Sequence, residues 1–211
     1  MLEISFLRHG QTEYSLANCF CGSIDPPLNE TGVQMAEAFG AGWRGHGWDA
    51  IWCSPSLRTR QTAAPLASAV GLEVKVDDGL REIAYGEWEG LPHAEACSRW
   101  PEDYAWWAAD PASRGTPGGE TAFHVAARAA PVLERLRVAH PDGKVLVVSH
   151  KATLRVLMCA LLGLDVRLFR ERLGQPVASL SRFELTSKGA RLVMLGDVSH
   201  LPPELRRGEG T

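Results

Sequence analysis

The stretch "KVLVVSHKATLRVLMCALLG" (144–163) constrains the fold more than any other. Four consecutive apolar residues, Val145 to Val148, show no polar alternation, so a strand made from them is covered on both faces. The segment after it is apolar on most of its turns, which predicts a deeply packed helix ended by Gly163. A doubly covered strand that feeds a buried helix belongs to a parallel sheet held between helical layers.

The same alternation runs through the rest of the chain. Leu2–Leu7 reads as a short buried strand, and "NETGVQMAEAFGAGW" as a helix with Asn29 or Thr31 near its cap. Asp49–Ser54 is a second strand. "SLRTRQTAAPLASAV" predicts a helix that Pro65 kinks or leaves irregular in its first turn. Leu72–Val76 is a third strand. Glu120–His140 returns to helical spacing, with Val125, Ala129, Val132, Leu133 and Leu136 on one face and a bend expected at Pro131. Ser179–Leu185 and Arg191–Leu195 alternate around Lys188-Gly189, the pattern of a terminal hairpin. Its edge leaves room for a homodimer. One domain over 1–211 is expected: a three-layer α/β/α sandwich around a mostly parallel sheet. An irregular, lid-like excursion covers about 77–120, and a loose tail starts at about Pro202.

Composition narrows the function. A formal net charge of -3 gives no overall basic field for nucleic acid, although local positive charge can still hold a small anion. Five cysteines without regular spacing argue against a disulfide framework and for a reducing compartment. Cys19-Phe20-Cys21 has no matching Cys/His pair, so no metal site is expected. Neither a signal pattern nor an apolar run of spanning length is visible, which points to the cytoplasm and away from a membrane.

Ligands of such sheets bind beyond the carboxyl ends of the strands. Arg8-His9-Gly10 follows the first strand, Ser54 to Arg58 the second, and Ser149-His150-Lys151 the strand Lys144–Val148. The loop after the third strand, "LREIAYGEWEG", brings Arg81, Glu82 and Glu87. Four distant segments thus deliver arginines, histidines and a carboxylate to one rim. Each alone has an ordinary structural explanation; together they suit phosphoryl transfer. Two guanidiniums match a phosphoryl group's oxygens through bidentate hydrogen bonds. A neutral imidazole can attack phosphorus, and a carboxylic acid can protonate the departing oxygen. No cofactor is called for.

These segments resemble the histidine phosphatase superfamily, also called phosphoglycerate mutase-like. "LRHGQTEYS" is similar to its Arg-His-Gly signature, "CSPSLRTRQTA" to its second-arginine segment, "LREIAYGEWEG" to its acid loop and "VVSHKATLRVL" to its second-histidine segment. "GGETAFHVAAR" is a weaker match before the long helix. The resemblance covers about residues 2–165. It implies a phosphoglycerate mutase-like fold, phosphorylation of His9, and a phosphoryl clamp of Arg8, Arg58 and His150. Glu82 would donate a proton and later activate water, while Gly10 and the Lys151 amide would approach the phosphate. Where the mutase branch carries Asn, this chain has Ser15, with Asn18 three residues on. Lys151 stands where Gly is usual and adds positive charge at the mouth.

The chain is shorter than typical cofactor-dependent mutases, which favours hydrolysis of a small phosphorylated metabolite. Two other readings stay open: a mutase that returns the phosphoryl group to a second hydroxyl, and a module that only binds a phosphorylated ligand. Trp88, Trp100, Trp106 and Trp107 lie in the excursion, as a substrate cap or as pins to the core.

Overall fold

The structure, a computed structural model, describes residues 1–206. In chain order its elements are β1 (Leu2–Arg8), α1 (Glu13–Leu16), α2 (Glu30–Trp43), β2 (Ala50–Cys53), α3 (Leu57–Val70) and β3 (Val74–Val76). There follow α4 (His93–Arg99), α5 (Pro101–Ala109), α6 (Ala122–Ala139), β4 (Lys144–Ser149), α7 (Lys151–Leu162), α8 (Phe169–Arg172), β5 (Leu180–Thr186) and β6 (Gly189–Asp197). The strands form one sheet in the order β3-β2-β4-β1-β5-β6. The four from β3 to β1 are parallel, and the terminal hairpin adds two antiparallel strands beside β1.

The uninterrupted apolar strands are explained by two cores, one on each face of the sheet. Leu2, Ile4 and Phe6 of β1 and Val145 and Val147 of β4 pack with Val125, Val132 and Leu136 of α6 and Leu154 and Leu157 of α7. Leu7, Leu146 and Val148 point the other way, against Phe39 of α2 and Ala63 and Leu66 of α3. Successive strand residues alternate faces, and here both faces are dry. Phe183 of β5 extends the first core, its ring meeting Phe6 edge-on at 5.6 Å.

Helix ends follow local chemistry. The Asn29 side chain accepts the Gly32 amide at 2.9 Å and caps α2. α7 ends on Gly163 in the left-handed conformation, as its sequence predicts. α3 and α6 run on past Pro65 and Pro131 as continuous helices, each held by a buried apolar face.

The segment 77–120 departs from the irregular excursion expected, because it contains α4 and α5. Both are short and bury little, chiefly Ala96 and Trp107, so no long apolar stripe announces them. Trp88 and Trp107 cluster with Phe20 and Ala96, and Trp100 packs against them. Three of the four tryptophans therefore pin the segment. Trp106 is exposed, with the Arg114 guanidinium 4.4 Å from its ring centre.

Part of the expected tail is also held. Pro203–Leu205 forms a single turn, and the Arg206 side chain donates to the Leu201 and Ser199 carbonyls. The rest of that tail, 207–211, lies outside the described residues. Among the described residues no helix is long and apolar enough to cross a membrane.

Candidate active site

Parallel pairing aligns the strand ends at one rim. β1 and β4 are in register with Arg8 opposite Ser149, so His9 and His150 emerge side by side. Their ring centres are 5.3 Å apart in an edge-to-face arrangement. Beyond the rim lies a cavity of about 100 Å3 lined by Arg8, His9, Arg58 and Glu82, with Ser15, Asn18 and Lys151 also on its wall.

His9 Nδ1 lies 2.8 Å from the carbonyl oxygen of Gly10. A carbonyl only accepts, so Nδ1 carries the hydrogen and Nε2 keeps its lone pair. Burial, reinforced by the nearby Arg58 and Arg8 charges, holds the ring's pKa well below the usual histidine range. The imidazole is therefore neutral and has the tautomer a nucleophile needs.

His150, which the resemblance assigns to the clamp, emerges at the rim beside His9. It is fully buried, absent from the cavity wall, and its Nε2 lies 2.8 Å from Ser54 Oγ. Burial first, then Arg58 and His9, keeps it neutral as well. Its Nδ1 has no hydrogen-bond partner among the described residues.

The two guanidiniums are held through backbone oxygens. Arg8 donates to the Gln175 carbonyl at 2.8 Å and, although burial lowers its pKa to about 10, it stays charged at neutral pH. Arg58, 1% exposed, donates to the carbonyls of Ile24 and Gly22 and lies 3.6 Å from Asp25. Its place near the start of α3 would oppose the helix dipole, a conflict that a bound anion relieves. Glu82 accepts the backbone amides of Ala152 and Thr153 at 3.1 Å each. The carboxylate thus caps α7, whose N-cap residue His150 provides no side-chain cap.

The remaining expectations divide. Gly10 is required by packing: a Cβ there would lie 2.6 Å from the Gly32 carbonyl, and its amide is taken by Thr62 Oγ1 at 3.0 Å. The Ser15 hydroxyl faces the cavity but closes the cap of α1, accepting from the Thr12 amide and donating to the Thr12 carbonyl. Lys151 is pushed down to about 7, by burial and then by Arg8 and Arg155.

Apart from Asn18, motif spacing missed the loop 18–25, which folds over Arg58, and the wall residues Phe20, Tyr85 and His93. It also missed Glu89. That carboxylate accepts the amides of Gly22, Ser23 and Ile24 and of Tyr85, joining the loop to the acid segment. A glutamate inside "LREIAYGEWEG" was in view, but nothing in spacing reveals a partner more than sixty residues away.

Residues 4–198 match the family model of the histidine phosphatase superfamily (branch 1). The chain is 32% identical over 201 residues to phosphoserine phosphatase 1 of Hydrogenobacter thermophilus, covering 95% of each. It is 36% identical over 174 residues to a 2,3-bisphosphoglycerate-dependent phosphoglycerate mutase of Methylobacterium radiotolerans, covering 75% of this chain and 78% of the mutase. Mycobacterial glucosyl-3-phosphoglycerate phosphatase complexed with VO3 superposes with a TM-score of 0.85 at 30% identity, covering 92% of this chain and 98% of that one. Some longer mycobacterial relatives are 40% identical, and this chain spans about half of their length.

Proposed function

Because this chain belongs to the histidine phosphatase superfamily, we propose that it hydrolyses phosphomonoesters by passing the phosphoryl group first to His9 and then to water. The observation that carries the reading is the His9 tautomer: a neutral ring with Nδ1 bonded to Gly10 and Nε2 without a partner among the described residues, beside Arg8 and Arg58.

In the first step the Nε2 lone pair forms a bond to phosphorus as the ester P–O bond breaks. Arg8 and Arg58 stabilise the charge on the non-bridging oxygens, and Glu82 gives a proton to the departing oxygen. In the second, Glu82 takes a proton from water, whose oxygen bonds to phosphorus as the N–P bond breaks. Inorganic phosphate leaves and His9 is again neutral. His150, 5.3 Å from the His9 ring and tied through Nε2 to Ser54, keeps an Nδ1 without a partner among the described residues, which supports a place for it in the phosphoryl clamp.

The test is release of phosphate from an aryl phosphate in the presence of chelator. His9→Ala should abolish it, and Arg58→Ala should lower kcat/KM by about 100-fold or more, the scale of losing one preorganised oxyanion donor. Release undiminished by His9→Ala overturns the nucleophile assignment. A requirement for a bisphosphate primer, with little free phosphate, would instead indicate a mutase.

A further inference from the structure

The catalytic cavity continues into a second one of about 80 Å3, and the two share Phe20, Tyr85, His93 and Lys151. Arg155 of α7 and Arg170 of α8 line this extension, opposite Trp107. Neither arginine forms an ion pair among the described residues. Arg155 Nε and one Arg170 terminal nitrogen are buried without a hydrogen-bond partner there. The Arg170 guanidinium lies 4.1 Å from the Trp107 ring centre, which orients it but leaves its in-plane donors unspent. Buried guanidinium donors without acceptors are costly. Two of them, with an ammonium between them and the clamp, form a site awaiting an anion.

Resting on the phosphatase reading, we propose that the organic part of the substrate carries a second anionic group, bound by Arg155, Arg170 and Lys151 while the scissile phosphoryl group sits on Arg8 and Arg58. The group is a carboxylate or a second phosphate, since both accept two parallel bonds from a guanidinium. Lys151 fits the same role: its pKa of about 7 reflects burial among Arg8, Arg155 and Arg170, and an arriving anion would favour its ammonium form. Glu82 and Glu171 attract Arg155 only from beyond ion-pairing distance, so they do not fill the site. The aromatic wall of Phe20, Tyr85 and Trp107 would cover the carbon skeleton between the two anions.

Three esters with the same three-carbon skeleton test this: glycerol 3-phosphate, 3-phosphoglycerate and glycerol 1,3-bisphosphate. The wild type should favour one or both of the doubly anionic esters over glycerol 3-phosphate by about tenfold or more in kcat/KM, the scale of one charge-assisted hydrogen bond. Which of them leads tells carboxylate from phosphate. Arg155→Met and Arg170→Met, on separate helices, should each bring that ratio towards one, and Arg155→Lys should restore part of it. A ratio near one in the wild type, or one unchanged in both Met variants, overturns the subsite. If neither these esters nor the aryl phosphate is hydrolysed, the phosphatase reading fails by itself. Equilibrium binding of the same three compounds then decides the subsite, which falls if the doubly anionic ones bind no tighter.

Discussion

His9 and Glu82 show how one side chain's chemistry depends on a single neighbour. The Gly10 carbonyl selects the His9 tautomer that keeps a lone pair on Nε2, and the α7 amides hold the Glu82 carboxylate at the cavity. Replacing Glu82 with Gln keeps the size but removes the proton. The loss should be about 100-fold or more for alkyl phosphates and much smaller for aryl phosphates, whose leaving groups need little protonation. An equal loss across a leaving-group series argues against the acid role. Arg8, His9, Arg58 and Glu82, which the structure brings to one cavity wall, could be picked out from short motifs because phosphoryl chemistry calls for those residue types. What Ser15 and Gly10 do could not, since an α1 cap and the Thr62 hydroxyl of α3 determine where hydroxyl and amide point.

At the scale of elements, strands and long helices were visible as apolar periodicity, and α4 and α5 were not. Pro101 at the first helical position followed by Glu102 and Asp103 is a helix start with a physical reason, and it marks α5 once attention turns from apolar faces to caps. The loop 18–25 has no regular structure and owes its shape to Glu89 and Arg58. Glu89→Ala would leave at least three backbone amides without their acceptor. It should lower stability by about 1–3 kcal/mol and kcat/KM by about tenfold, through a misplaced Arg58. Urea unfolding and aryl phosphate kinetics check this. A variant with wild-type kinetics would mean the loop holds its place without that carboxylate.

At the scale of the molecule, burying two neutral histidines at the sheet's edge couples the site to stability. His9 and His150 have folded pKa values depressed well below their unfolded values. Above an unfolded pKa of about 6.5 neither state binds these protons; below it the unfolded chain takes them up and the native one does not. Stability should therefore fall with acid from about pH 6.5 downward, by about 1.4 kcal/mol per pH unit for each histidine. His150→Gln should shrink the loss between about pH 7 and about pH 5 by about 2 kcal/mol in urea unfolding. An unchanged loss would show that His150 is protonated in the native state. Far from this edge, Phe183→Ala should cost about 3–5 kcal/mol by leaving a cavity beside Phe6.

Alternating periods of two and near four, with apolar strands lacking a polar face, were enough to specify a layered α/β sandwich. Residue types at the strand ends were enough to specify phosphoryl chemistry, because both are local properties of the chain. The cationic extension at Arg155 and Arg170, the staple at Glu89 and the tie of His150 to Ser54 were decided by packing. Each depends on groups brought together from distant parts of the chain. Such contacts are set by how layers stack and loops close, and no spacing along the sequence encodes them.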